Sequence, residues 1–129
     1  MRTIYILSLC VLAFSSCNKD EEELGATSVD IVFTEPSVGD TVLSYNQVHA
    51  EGTIAGNGPM EGYTVSMINS GNGNVLYTNS YDVQSEGYNF HEHWTNNLSD
   101  TTLVTVQVEV TNDKNGNKTT RKIDVVCLP

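Results

Sequence analysis

Basic residues are scarce in this chain of 129 residues, where six Lys and Arg stand against 16 Asp and Glu and the formal net charge is −10. An acidic surface repels phosphate backbones, so the composition argues against a nucleic-acid partner. Most of the basic residues lie close together near the end of the chain, where charge on a turn and an edge strand discourages pairing with other chains. They are Lys114, Lys118, Arg121 and Lys122.

The chain also lacks an apolar run long enough to cross a membrane, for which about 20 residues are needed. Its main apolar run, from Ile4 to Phe14, has 11 residues and follows the basic start Met1-Arg2-Thr3. Small residues come next, at Ser15-Ser16. This order of features is typical of a secretory signal peptide, which we predict for residues 1–16.

The residues around Cys17 resemble the lipobox of bacterial lipoproteins. Ser15 and Ser16 precede the cysteine directly, whereas Phe14 stands where leucine is usual. The resemblance implies cleavage before Cys17 and acylation of its thiol. Each buried methylene of an acyl chain contributes ~0.8 kcal/mol, so two or three chains would anchor the protein firmly in a membrane. The alternative is an ordinary cysteine near a mature N-terminus.

Residues 17–28 are predicted to be the lipidated cysteine and an acidic, flexible tether. Lys19 is followed by four acidic residues, and the segment has too little apolar surface to offset the entropy of ordering. Charge directly after the cysteine is similar to the surface-export signal of certain Gram-negative lipoproteins. That similarity implies a lipid-anchored protein on the outer membrane, exposed at the cell surface. The alternative is that these charges only keep the linker solvated.

Cysteine is too rare to form an intramolecular disulfide. Cys10 would leave with the signal peptide and Cys17 would carry lipid, so Cys127 alone remains. It alternates with Ile123 and Val125, a pattern that predicts a buried and unreactive thiol.

No stretch shows a convincing helical period, and alternation of apolar and polar residues dominates instead. It is clearest from Val104 to Val110, where every second residue is valine. Short strands separated by Gly, Pro, Asn and Ser turns predict an all-β, antiparallel β-sandwich over residues 29–129. The predicted strands are 29–34, 41–44, 47–55, 62–69, 74–80, 89–95, 102–111 and 119–127, and the turns between them include 56–59, 70–73 and 85–87.

Four segments resemble the bacterial immunoglobulin-like domains: VDIVFTEPSVGDTV, VHAEGTIAG, GYTVSMIN and VTVQVEVTNDKNGNKTTRKIDVV. In those domains a Pro and Gly turn follows the first strand, and the last hairpin often carries aspartate and then Gly-Asn. The resemblance implies an Ig-like sandwich of seven to eight strands, similar to small surface lipoproteins of Gram-negative commensals. The Cys, Trp, Cys core of antibody domains is absent.

The three histidines form the most specific candidate site. His91 and His93 project from one face of their predicted strand, with β-carbons ~6.5 to 7 Å apart. In an Ig-like sandwich strand 47–55 lies next to strand 89–95 in one sheet, which would add His49 and Glu51 on the same outer face. Imidazole with carboxylate suits zinc or copper. The alternative is solvated surface histidines. Alternation also sends Glu92 inward, which is costly unless a bulge re-aims it or water reaches its tip.

Other candidate sites are weaker. Asp113, Asn115 and Asn117 superficially resemble calcium ligands, but Asn115-Gly116 is a favoured hairpin turn and no helices flank the loop. Most aromatic side chains, Trp94 included, are predicted to pack in the core or on the sheets, although exposed Tyr or Trp could contact a sugar or a protein.

Catalytic motifs are absent: the chain has no G-x-S-x-G elbow, no H-E-x-x-H helix and no carboxylate pair set apart by its surroundings. We therefore predict a non-catalytic binding, adhesion or accessory module with a protein or glycan ligand and no cofactor. The alternative is a lipoprotein that binds zinc or copper through His49, Glu51, His91 and His93.

Overall fold

The computed structural model describes residues 24–129, and every regular element in this part of the chain is a β-strand. The predicted signal peptide, Cys17 and most of the predicted tether lie outside the described residues. No helix within residues 24–129 has the length and apolarity that a membrane span requires. The strands are β1 (Val29–Glu35), β2 (Thr41–Val42), β3 (Gln47–Met60), β4 (Gly62–Asn69), β5 (Val75–Tyr81), β6 (Ser85–Thr95), β7 (Thr102–Thr111) and β8 (Lys118–Cys127).

Two sheets stack face to face. The three-stranded sheet has the order β1-β3-β6, and the five-stranded sheet has the order β2-β8-β7-β4-β5. All pairings between the described strands are antiparallel except the short β2–β8 contact, which is parallel. The predicted all-β Ig-like sandwich is thus confirmed, with eight strands.

The core lies between the sheets and follows the alternation of the sequence. The valines at every second position of β7 are fully buried, as predicted, because a period of two places them all on one face. Apolar side chains of β3 and β4 are also part of this core. They are Val48, Ala50, Ile54, Met60, Val65 and Met67.

Two segments predicted as turns are strand. Residues 56–59 belong to β3, and residues 85–87 belong to β6. The β3–β6 register is continuous up to Ala55 opposite Gly87 and then shifts before Met60 pairs with Ser85. Gly and Pro here mark an irregularity inside a long strand rather than its end.

The end of the predicted tether is packed onto the domain, so the prediction of a flexible segment through residue 28 is wrong for its last residues. Ala26 is 2% exposed, and its N–H donates to the carbonyls of Asn112 at 2.9 Å and Pro59 at 3.3 Å. The side-chain oxygen of Asn57 accepts from the N–H groups of Thr27 and Ser28. The chain therefore joins the sandwich at the end that carries the β3–β4 and β7–β8 connections.

Candidate functional site

The three histidines lie at neighbouring positions of the paired strands β3 and β6. In the β3–β6 pair, His49 lies opposite His93 and Glu51 lies opposite His91. Val48 and Ala50 are buried, so the residues between them and beyond must point out of the sandwich. All four side chains lie on the outer face of the three-stranded sheet.

Three of these side chains converge. Glu51 Oε1 lies 3.0 Å from His91 Nε2 and 3.6 Å from His49 Nδ1, and one ligand atom from each residue lies within 4.8 Å of the others. His49 Nδ1 is shielded from solvent and has no hydrogen-bond partner, although the side chain as a whole is 37% exposed. Whether this nitrogen is protonated or not, no group of the described chain forms a hydrogen bond with it.

His93 lies next to these three side chains, but it is not among the residues whose ligand atoms converge. Its ring centre is 6.1 Å from that of His49 and 6.3 Å from that of His91, and the His49 and His91 ring centres are also 6.3 Å apart. The predicted set of four side chains is therefore close together, with three ligand atoms in a cluster and the fourth ring next to it. Binding of zinc or copper stays a prediction.

The electrostatic surroundings of the site favour a cation. The three strands of its sheet contain no Lys or Arg, whereas Glu35 on β1 lies opposite Glu51 on β3. The basic residues of the described chain lie on the β7–β8 hairpin, in the other sheet. The histidine cluster therefore sits on an acidic face with no competing positive side chain from its own sheet.

Glu92 points into the sandwich, as the alternation predicted, and is 6% exposed. No bulge re-aims it, since the register is regular around it. The phenols of Tyr77 and Tyr81 donate hydrogen bonds to its two carboxylate oxygens, and Asn79 Nδ2 adds a contact of 3.4 Å. Burial acts to raise the pKa of Glu92, but these hydrogen bonds outweigh it and hold the pKa below its usual value.

Sequence reasoning missed these partners because they belong to the other sheet. β5 and β6 are edge strands of different sheets and face each other across one flank of the sandwich. The available signal was the spacing of Tyr77, Asn79 and Tyr81, three polar donors at every second position of one strand. We call Glu92 with these three residues the tyrosine latch.

The calcium interpretation of the β7–β8 turn has no support in the geometry. Asp113 Oδ1 accepts the N–H groups of Asn115 and Asn117, and Asp113 Oδ2 accepts from Asn117 Nδ2 at 2.6 Å. The hydrogen bond from the Asn117 side chain is the main cause of a lowered pKa at Asp113. The carboxylate thus closes the hairpin turn, which was the favoured interpretation.

Cysteine and the aromatic residues behave largely as predicted. Cys127 is fully buried, and this burial raises the pKa of its thiol. Trp94 is half-buried against the core, and most tyrosines pack on or between the sheets. Tyr45 is the exception, because it is 83% exposed in a loop before β3 and has a φ of 65°. Its N–H donates to the carbonyl of the buried Asn96 at 2.8 Å, which holds the loop in place.

No family model and no curated protein sequence matches this chain. Among solved structures, it is similar to the fibronectin(III)-like modules of Clostridium thermocellum CbhA, with a TM-score of 0.51 and 10% identity over 77% of this chain and 96% of that one. A second similar structure is the CARDB domain of the Pyrococcus furiosus PF1109 protein, in complex with di-metal ions, with a TM-score of 0.49 and 17% identity over 83% of this chain and 90% of that one. At 10% identity the first match supports the fold alone. The described part of the chain has the fold of an antiparallel, immunoglobulin-like β-sandwich.

Proposed function

We propose that this chain is a non-catalytic binding module of a surface-exposed lipoprotein, and that it binds a divalent transition-metal ion, zinc or copper. The convergence of Glu51 Oε1 with nitrogen atoms of His49 and His91 carries the metal-binding part of this proposal. Two imidazoles and a carboxylate are a common ligand set for zinc, and imidazole also suits copper.

Calorimetry with zinc and with copper tests the metal site. Wild-type protein should bind one ion per chain, and the double variant with His49→Asn and His91→Asn should show no binding heat. Asn89→Ala is a matched control, because Asn89 is an exposed residue of β6, the strand that carries His91. This substitution should leave metal binding unchanged. Absence of binding heat for both ions in the wild-type protein would refute the metal-binding proposal.

The anchor is proposed from the sequence around Cys17, and a lipid there would hold the module on the outer membrane. Cys17→Ala should abolish incorporation of a labelled fatty acid and move the protein out of the membrane fraction. Cys127→Ala serves as the control, since it removes the other mature cysteine and should keep the label. A Cys17→Ala protein that remains lipidated would end this part of the proposal, and protease treatment of intact cells tests surface exposure separately.

A protein or glycan ligand is the second candidate, favoured by Tyr45. Its loop precedes the start of β3, whereas Ala26 packs near the end of the same strand, so the ring lies at the end of the sandwich opposite the N-terminal attachment. A protein held by its N-terminus would present this ring away from the membrane, where an aromatic face can stack on a sugar. Immobilised glycans should retain wild-type protein and release Tyr45→Ala, and equal retention of the two would argue against this ligand.

A further inference from the structure

Resting on the proposed metal site, we infer that the bound ion is zinc and that it draws in His93 as a fourth ligand. The resulting centre is closed and tetrahedral, with two ligands from β3 and two from β6. It holds the ion without a coordination position for a substrate. Such a site retains metal and fixes the strands, unlike a catalytic zinc site, which keeps one position open.

Two of the three separations between the converged ligand atoms are close to the spacing that such an ion needs, and the third is within 4.8 Å. Bonds of ~2.0 to 2.1 Å to a tetrahedral ion separate its ligand atoms by roughly 3.4 Å. In the structure Glu51 Oε1 lies 3.0 Å from His91 Nε2 and 3.6 Å from His49 Nδ1. An ion can therefore enter between these atoms with small side-chain shifts, and it supplies the missing partner of the shielded His49 Nδ1.

The spacing of the three imidazole rings points to the fourth ligand. Two imidazoles on one tetrahedral ion have ring centres about 5.2 Å apart, because each centre lies about 3.2 Å from the metal. All three observed distances between ring centres are 6.1 to 6.3 Å, so each exceeds this value by a similar small amount. His93 lies directly opposite His49 and is exposed, so its ring can rotate toward the others without disturbing the core.

The donor types favour zinc over oxygen-preferring ions, and a tetrahedral arrangement favours zinc over copper(II), which prefers square-planar or tetragonal sites. Three imidazoles and one carboxylate suit zinc, whereas calcium and magnesium prefer six or more oxygen ligands. The neighbouring carboxylate of Glu35 and the lack of Lys and Arg in the sheet add attraction for a dication.

Coordination of the ion by all four side chains would link β6 more firmly to the rest of the sheet. Among the described strands, β3 is the only sheet neighbour of β6. An ion bound by His49 and Glu51 on one side and by His91 and His93 on the other would join the two strands through side chains as well as through the backbone ladder. Zinc should therefore raise the thermal stability of the protein, by an amount that depends on the zinc concentration relative to its dissociation constant.

The experiment compares wild-type protein with His93→Asn, using zinc for affinity and cobalt(II) as a spectroscopic substitute. Thr95→Ala is the matched control, since Thr95 is the next exposed residue on the same face of β6. Wild-type protein and the control should bind one cobalt ion with the intense visible bands of four-coordinate geometry. His93→Asn should still bind one ion, at least roughly tenfold more weakly, a loss at the lower end of what even outer-shell changes cause. Its cobalt bands should be weaker, as expected when water replaces an imidazole and the coordination number rises.

Two outcomes separate this inference from the proposal beneath it. A His93→Asn protein with wild-type zinc affinity and the wild-type cobalt spectrum would overturn the role of His93 and leave a site of three ligands standing. A wild-type protein that binds copper but no zinc would overturn this inference and leave the proposed metal site standing, whereas a wild-type protein that binds neither ion would overturn both. Denaturant unfolding of the metal-free variants checks that the substitutions leave the fold unchanged.

Discussion

The two sheets of this sandwich differ in the side chains that they bury and expose. The five-stranded sheet supplies the valine row of the core, and its β7–β8 hairpin carries all the basic residues of the described chain. The three-stranded sheet has no Lys or Arg, carries all three histidines on its outer face and packs aromatic side chains on its inner face. The difference indicates that the larger sheet contributes a row of valines to a core that both sheets share, while the smaller one also presents a polar site on its outer face and is held to its partner by the tyrosine latch.

The largest effect is expected in the three-stranded sheet, at Gly52. Phe33 and Phe90 pack edge to face across this position with ring centres 5.3 Å apart. A Cβ on Gly52 would lie 2.0 Å from the carbonyl oxygen of Val32 and 2.6 Å from the ring of Phe90. Backbone cannot move away as a flexible side chain can, so Gly52→Ala should cost on the order of 3 kcal/mol or more.

Urea unfolding measures this cost, with Thr53→Ala as the control because Thr53 is the exposed neighbour on the outer face. The control should stay within about 0.5 kcal/mol of the wild type. A Gly52→Ala protein of normal stability would mean that the two aromatic rings and β1 are not packed against this backbone.

The corresponding test of the five-stranded sheet is Val106→Ala. Val106 is fully buried in the middle of the valine row. Removing two methyl groups loses about 1.6 kcal/mol of transfer free energy, and the cavity raises the total to roughly 2 to 3 kcal/mol. Gln107→Ala, on the opposite face of β7, should change the free energy of unfolding by less than about 0.5 kcal/mol. Equal costs for the two substitutions would contradict the assignment of the core to this row.

A third and smaller effect concerns the tyrosine latch, which joins the two sheets. Tyr81→Phe removes one hydrogen bond to the buried carboxylate of Glu92 and should cost about 1.5 to 2 kcal/mol near neutral pH. The pKa of Glu92 is lower in the folded state than in the unfolded state, so the ionised carboxylate stabilises the fold above the unfolded pKa of ~4.3. This stabilisation is lost as the pH falls through the folded-state pKa. The difference between wild type and variant should therefore shrink in acid.

The latch also predicts a change in alkali. The hydrogen bond to Glu92, together with burial, raises the pKa of Tyr81 to about 12. A raised pKa means that this contribution is fully present below the unfolded value of ~10 and declines as the pH rises toward the folded value. Unfolding measured from pH 9 to 12 should show that decline in the wild type and less of it in Tyr81→Phe. Parallel curves for the two proteins would refute the linkage.

Alternation predicted which side of each strand faces the core, and this was enough to place His49, Glu51, His91 and Glu92 correctly. It could not predict where strands end when sheet pairing overrides a local turn signal, as at 56–59 and 85–87. It also gave no information about contacts between sheets, so the phenol partners of Glu92 were missed. The position of the His93 ring depends on side-chain rotamers, which strand periodicity does not determine.

The smallest effect is expected on the outer face of the five-stranded sheet, where Lys118 Nζ lies 2.7 Å from Glu109 Oε1. Both side chains are partly exposed, so water and salt screen the pair and it contributes at most about 0.5 kcal/mol. Lys118→Gln should lower the free energy of unfolding by no more than this amount, and the difference should vanish in 1 M NaCl. A loss above 1 kcal/mol that persists in high salt would contradict the expectation that this exposed pair is screened and contributes little to the stability of the larger sheet. The matched variant Lys122→Gln removes a charge of the same strand that makes no ion pair in the described chain, so it separates the effect of the pair from that of net charge.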